Sequence, residues 1–147
     1  MSELRTIVLA EDNQKDVELT LEAMAENNLA NQVVVVKDGV ELLEYLRHEG
    51  KYTLRTSGKP AVILLDIKMP RMDGIEALRH IRSDAALKRI PVVMLTSSHE
   101  EKDLINTYDL GVNAYVIKPV SFQQFIEAVK QIGGFWAVLN EIPPEKG

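Results

Sequence analysis

The chain has 147 residues, 46% of them hydrophobic and 27% charged, a size and balance that fit a single globular domain with a real core. It has no cysteine, which excludes disulfides, thiol catalysis and thiolate metal sites, and its formal charge of −5 argues against a nucleic-acid surface. No apolar signal region opens it and no apolar run approaches the length of a membrane span, so a cytoplasmic protein with neither a nucleic-acid nor a membrane partner is expected.

Thr6, Ile7, Val8, Leu9 and Ala10 form an apolar run stopped by Glu11, Asp12 and Asn13, which predicts a buried strand over about residues 4–10 followed directly by acids. Val17, Leu21 and Met24 recur at helical spacing and predict a helix from Gln14 to about Asn28, with Asp12 or Asn13 as its cap. Four valines at 33–36 read as a second strand. Asp38 and Gly39 then open an amphipathic helix carried by Val40, Leu43 and Leu46, ending near Gly50.

Residues 51–59, with Lys51, Arg55 and Lys59 but no periodicity, predict a basic surface loop. Ala61, Val62, Ile63, Leu64 and Leu65 are five consecutive apolar residues, as in a parallel strand covered on both faces, and the run ends on Asp66 ahead of Pro70. Ile75, Leu78 and Ile81 mark the next helix, to about Ser83. Residues 91–95 predict a fourth strand that ends in Thr96, Ser97 and Ser98, any of which can cap a helix over about 100–110 that stops at Gly111. Residues 114–117 make a short fifth strand ending at Lys118 and Pro119, and Phe122, Phe125, Ile126, Val129 and Ile132 mark the last helix. Gly133 and Gly134 close a domain over 1–134, leaving a tail over 135–147 that carries Phe135 and Trp136.

Five strands alternating with five helices predict an α/β fold with a doubly wound parallel sheet. In such a sheet the carboxyl ends of the strands collect ligands and chemistry. Glu11 and Asp12, Asp66, Thr96 and Lys118 each follow one of four strands, so all fall on that edge. Close carboxylates repel by about 4 kcal/mol per pair at an effective dielectric of about 20, so the cluster calls for a cation or a proton. Oxygen ligands without cysteine or a histidine pair suit Mg²⁺. A carboxylate, a metal site, a lysine and a hydroxyl together suit phosphoryl transfer to Asp66.

Glu11-Asp12, the run Asp66-Ile67-Lys68-Met69-Pro70-Arg71-Met72-Asp73-Gly74, Thr96-Ser97 and Lys118-Pro119, in this order after the strands, closely resemble the response-regulator receiver domain, over about residues 4–132. The resemblance implies a flavodoxin-like sheet in the order 2-1-3-4-5 and a two-component response regulator that takes a phosphoryl group from a histidine kinase on Asp66. It implies that Asp12 and Asp66 ligate Mg²⁺, that Lys68 adds its backbone carbonyl, and that Glu11, in place of a commoner aspartate, acts at longer range or through water. Lys118 pairs with the phosphoryl group, Thr96 hydrogen-bonds to it, and Tyr115 follows Thr96 as a switch toward a buried rotamer. Small Ser97 leaves access to the phosphoryl group, Lys68 and Ser98 tune the hydrolytic water, and the Lys118-Pro119 peptide is cis.

In this reading the chain is a phosphoacceptor with Mg²⁺-dependent self-phosphorylation and autodephosphorylation rather than an enzyme. About a dozen residues follow the last helix, too few for an output domain, which implies a stand-alone receiver working through a partner or through dimerisation. Residues 51–59 lengthen a connection that is usually shorter in receivers. With Phe135 and Trp136 they resemble single-domain receivers paired with bacterial phytochrome-type kinases, and a homodimer through helix 4, strand 5 and helix 5 is expected.

Taken singly, each residue has a plainer reading: Asp12 and Asn13 as caps, Asp66 as a turn acid, Thr96 as a cap, Tyr115 as a core aromatic and Lys118 as a solvated lysine. The ordered combination outweighs them. His48, His80 and His99 lack metal-ligand spacing and read as surface residues, and Phe135 and Trp136 either finish the core or anchor a partner. The alternative class is a metal-dependent phosphotransferase or phosphatase with an aspartyl nucleophile, against which Lys68 stands where a second acid is expected. A receiver-fold module that binds without phosphorylation fits poorly with a complete acidic site.

Overall fold

Runs of Ile, Val and Leu flanked by amphipathic helices bury both faces of a sheet at once, and the backbone follows that pattern. The computed structural model describes residues 6–56, 58–106, 109–112 and 114–132. Strands β1 (Ile7–Ala10), β2 (Val33–Val36), β3 (Val62–Asp66), β4 (Val92–Thr96) and β5 (Tyr115–Ile117) form one parallel sheet in the order β2-β1-β3-β4-β5. Helices α1 (Gln14–Ala25), α2 (Gly39–Arg47), α3 (Gly74–Ser83), α4 (His99–Asn106) and α5 (Phe122–Gln131) alternate with them, giving the expected doubly wound, flavodoxin-like order. Among the described residues no helix is long and apolar enough to cross a membrane.

Alternation along each strand divides the core into two layers. Ile7, Leu9, Leu64 and Val93 pack with Val17 and Met24 of α1 and with Phe125 and Val129 of α5. Val8, Ala10, Ile63 and Met94 pack with Leu42 and Leu46 of α2, Leu78 and Ile81 of α3, and Ile105 of α4. Each such side chain contributes about 2 kcal/mol by leaving water, so the two layers hold the strand ends rigidly in register.

All five helices start at the carboxyl edge of the sheet, and each start is capped by a side chain. Asn13 Oδ1 accepts from Asp16 N–H at 3.0 Å, Asp38 Oδ1 from Glu41 N–H at 2.8 Å, and Asp73 Oδ1 from Glu76 N–H at 2.9 Å. The Ser98 and Ser121 hydroxyls accept from Glu101 and Gln124 N–H, each at 3.2 Å. Of the residues offered as caps for the first helix, Asn13 is the one used, and for the fourth it is Ser98.

Four sequence expectations change, the first being the second helix, which ends at Arg47 with His48 at φ 56° rather than near Gly50. The fourth helix is described over His99–Asn106, and with Asp109 and Gly111 at positive φ of 51° and 71° it does not continue to about residue 110. The first helix ends at Ala25, with Asn28 at φ 61° turning the chain toward β2. Residues 51–59 are not a plain solvated loop. Gly50–Tyr52 form a 3-10 turn, the Tyr52 hydroxyl donates to Glu41 Oε2 at 2.6 Å, and Lys51 Nζ pairs with the same oxygen at 3.0 Å. Arg55 lays its guanidinium 4.1 Å from the centre of the Tyr45 ring and donates to the Tyr45 and Gly58 carbonyls at 3.0 and 3.1 Å. The segment spends much of its positive charge on α2, leaving Leu54 in water at 92% exposure. The predicted start of the first strand before residue 6, the helix stop at Gly133 and Gly134, and the tail with Phe135 and Trp136 lie outside the described residues.

Candidate functional site

Four strand ends converge because register sets their heights. Ala10 lies opposite Leu65, Asp66 opposite Leu95, and Thr96 opposite Ile117, so Glu11, Asp66, Thr96 and Lys118 emerge together on one edge. Glu11 N–H still donates to Val36 O at 2.9 Å, which extends the ladder one residue and holds the Glu11 carboxylate inward, 1% exposed. Asp12 follows on the surface.

Asp66 is buried at the end of β3, where its Oδ1 accepts from Ile67 N–H at 2.9 Å. The chain then folds back tightly, with Gly74 N–H donating to Ile67 O at 2.7 Å. A Cβ on Gly74 would lie 2.1 Å from the Asp66 carbonyl oxygen, so only glycine permits this loop. Arg71, at φ 63°, bends the loop toward α2, where its Nε and Nη2 reach Asp38 Oδ2 and Oδ1 at 2.9 and 3.1 Å. Gly39 N–H donates to Met72 O at 3.0 Å beside that pair.

Lys118 enters from β5, its N–H bonded to Thr96 O at 2.8 Å and its peptide to Pro119 cis as expected. Its ammonium reaches Glu11 Oε1 at 3.0 Å, Asp66 Oδ1 at 3.1 Å and Asp16 Oδ2 at 3.1 Å. Burial disfavours this charge, but the three carboxylates outweigh it and hold the ammonium above its ordinary value. Burial pushes the Glu11 carboxyl up to about 7, the facing Asp66 adds to the rise, and Lys118 opposes it. The Thr96 hydroxyl, wholly buried, has no hydrogen-bond partner among the described residues, and such a group costs about 1–3 kcal/mol unless something reaches it.

Ligand oxygens of Glu11, Asp12 and Asp66 all lie within 4.8 Å of one another. This set is all oxygen and carries more negative charge than one lysine neutralises, which is the chemistry of a hard divalent cation site.

Two predicted residues stand apart from the acids. The Lys68 side chain is 84% exposed and turns toward α4, where Nζ lies 3.7 Å from Glu101 Oε2. Its loop nevertheless lines an open cleft together with Asp12, Ile67, Pro70 and Asp73. Tyr115 is half-buried beside α4, its hydroxyl bonded to Asn106 Oδ1 and, at 3.4 Å, to Val112 O. The Lys102 ammonium sits 5.1 Å from its ring centre.

Sequence reasoning missed three participants. Asp16 stands one turn beyond Asp12, and that four-residue spacing behind a cap was the available signal. Asp38 was read only as part of a helix opening, with no sign of its Arg71 partner 33 residues away. Glu101 accepts from both the N–H and the hydroxyl of Ser97, at 2.6 and 2.9 Å, which ties the loop after β4 to α4. Burial pulls the Glu101 carboxyl up, but Ser97 and Lys68 together hold it below its ordinary value.

The arrangement offers a buried carboxylate, an ammonium beside its oxygen, a hydroxyl unpartnered among the described residues and an acidic cluster, a combination chemically suited to receiving a phosphoryl group. The solved bacteriophytochrome response regulator AtBRR is 55% identical, with a TM-score of 0.89 over 95% of this chain and 100% of that one. The phosphorylated cyanobacterial phytochrome response regulator RcpA is 42% identical, with a TM-score of 0.72 over 97% and 100%. Response regulator Rcp1 of Synechocystis sp. is 35% identical over 139 residues, 95% of this chain and 93% of the relative, and Rcp1 is also known in a Mn²⁺-bound structure. The family model described as the response regulator receiver domain matches residues 7–130, and the chain therefore belongs to the response regulator receiver family, homologous to phytochrome response regulators.

Proposed function

We propose that Asp66 accepts a phosphoryl group from the phosphohistidine of a sensor kinase of the phytochrome type. The observation that carries this is the single ammonium of Lys118 on Asp66 Oδ1 at 3.1 Å within the acidic edge. A carboxylate oxygen of Asp66 forms the new bond to phosphorus as the phosphorus–nitrogen bond breaks, and the electron pair of that bond returns to the imidazole.

Lys118 follows the charge from the carboxylate to the phosphoryl oxygens, and the Thr96 hydroxyl donates to one of them, gaining the partner it lacks. Asp12, Asp66, the Lys68 backbone carbonyl and Glu11, directly or through water, would hold Mg²⁺. When bound, Mg²⁺ supplies positive charge that offsets the phosphoryl oxygens. The same residues support self-phosphorylation from small donors and later hydrolysis.

The movement of Thr96 draws the loop after β4 inward, and Tyr115 leaves Asn106 for the space that opens. The face built by α4, β5 and α5 then changes shape, and this face, with the groove of Tyr115, Gln124 and Ala128, binds a partner or a second copy of the chain. The same reading places the chain in the cytoplasm. Incubation with Mg²⁺ and phosphoramidate, read by intact mass, is expected to add one phosphoryl group that hydroxylamine removes. An equal label on the Asp66→Asn variant would refute the assignment.

A further inference from the structure

Lys118 has three N–H donors, of which it gives one to Glu11 at the end of β1 and one to Asp16 on α1, while its ammonium lies 3.1 Å from Asp66 at the end of β3. Asp16 is itself fixed. Its N–H is bonded to the Asn13 side chain at 3.0 Å, and its carbonyl accepts the Thr20 hydroxyl at 2.8 Å. At the other end of the lysine, the backbone N–H is bonded to Thr96 O. An ammonium held by Glu11 alone can turn about that contact. Held by Glu11 and Asp16 together it is fixed 3.1 Å from the Asp66 oxygen with one donor left over.

We infer that Asp16 is a positioning residue for phosphoryl transfer: with Glu11 it takes two of the three Lys118 donors and so holds the ammonium beside the oxygen of Asp66. The inference rests on Asp66 as the phosphoryl acceptor. On transfer from phosphoramidate, the Asp66 oxygen bonds to phosphorus while the phosphorus–nitrogen pair leaves on nitrogen as ammonia. The ammonium held there meets the growing charge without first having to be brought into place, a saving that appears in the rate of the step rather than in donor binding. Asp16 touches neither donor nor metal and acts through Lys118.

The test measures phosphorylation of the full chain by phosphoramidate at saturating Mg²⁺. Asp16→Ala is expected to lower kcat about tenfold with the donor KM unchanged. Asp16→Asn, which keeps an acceptor oxygen in place, is expected to restore kcat to within about threefold of the parent. The side-chain ammonium resonance of Lys118, slowed in exchange by its two acceptors and the Asp66 ion pair, is expected in the parent and in Asp16→Asn and lost in Asp16→Ala.

A parental kcat in Asp16→Ala overturns the inference, as does loss of the ammonium resonance without loss of rate. A fall shared equally by Asp16→Asn overturns it as well, because charge rather than orientation would then be at work. A parent chain that takes no label overturns the Asp66 reading instead, so the two failures are distinguishable.

Discussion

Arg71 holds both carboxylate oxygens of Asp38, with Nε at 2.9 Å and Nη2 at 3.1 Å, and so fastens the loop that follows Asp66 to the start of α2. Asp38 also caps α2, so one carboxylate serves two elements. Asp38→Ala is expected to cost about 1 kcal/mol through the lost cap, and Arg71→Ala less, because an exposed guanidinium is a weak partner. Urea unfolding of both variants gives the order. Arg71→Ala should still speed amide exchange in the loop between β3 and α3.

Gly74 sits where a side chain cannot go. The nearest obstacle to a Cβ is backbone, the Asp66 carbonyl oxygen at 2.1 Å, which cannot turn aside as a flexible side chain can. Gly74→Ala is expected to lose about 3 kcal/mol by displacing the loop, and to impair labelling of Asp66 in whatever fraction remains folded. Chemical denaturation together with intact mass checks both effects, and a stability within 1 kcal/mol of the parent would contradict the geometry.

Thr96 separates stability from function. Its hydroxyl is buried without a partner, so Thr96→Val removes an unmet polar group at nearly constant volume. The variant is expected to gain about 1 kcal/mol in unfolding free energy. It is also expected to lose about tenfold or more in the rate of phosphorylation by a small donor, since the phosphoryl oxygen then lacks its hydroxyl donor. Paired measurements of melting and labelling decide the matter.

Lys118 stands against Glu11, Asp16 and Asp66 with little solvent around it. Lys118→Ala leaves those carboxylates uncompensated and is expected to cost about 3 kcal/mol in metal-free buffer. Mg²⁺ is expected to recover more stability in this variant than in the parent, since the cation then replaces the missing charge. Unfolding midpoints in EDTA and in excess Mg²⁺ test this, and an equal gain in both proteins would argue against a cation among these acids.

Glu41 supplies a pH dependence away from the acidic edge. Burial pulls its carboxyl upward, but Tyr52, the Lys37 N–H and Lys51 outweigh this and hold it below its ordinary 4.5. With a folded value below the unfolded one, its contribution to stability is complete above 4.5 and fades as pH falls through the folded value. Relative to Glu41→Gln, the parent is expected to lose stability on acidification below about pH 5 and to keep a constant advantage above it. Thermal midpoints along an acid series measure the difference.

Much of the fold could be read from local pattern. Ile7 to Ala10 and Val62 to Leu65 announce buried strands because nothing polar interrupts them, and the residues that stop them, Glu11 and Asp66, are the ones the site uses. The segment around Tyr52 and Arg55 could not be read this way. Its order comes from Glu41 and Tyr45 on α2, contacts that leave no periodicity in the segment itself. The fourth helix is similar, since the positive φ of Asp109, which keeps it from reaching residue 110, leaves no mark in its apolar spacing.

The sequence by itself determined the parallel α/β class, the cap candidates of the first and fourth helices, and the chemical identity of the edge where they start, because strand period, capping preference and side-chain charge are properties of single residues and near neighbours. Only the tertiary structure decided which oxygens share Lys118, that Asp16 joins Glu11 and Asp66 around it, that Asp38 clasps Arg71, and that the Thr96 hydroxyl is left without a partner. Those relations depend on strand register and on side chains as far apart as Glu11 and Lys118, brought within 3.0 Å by a sheet whose packing no local stretch of chain encodes.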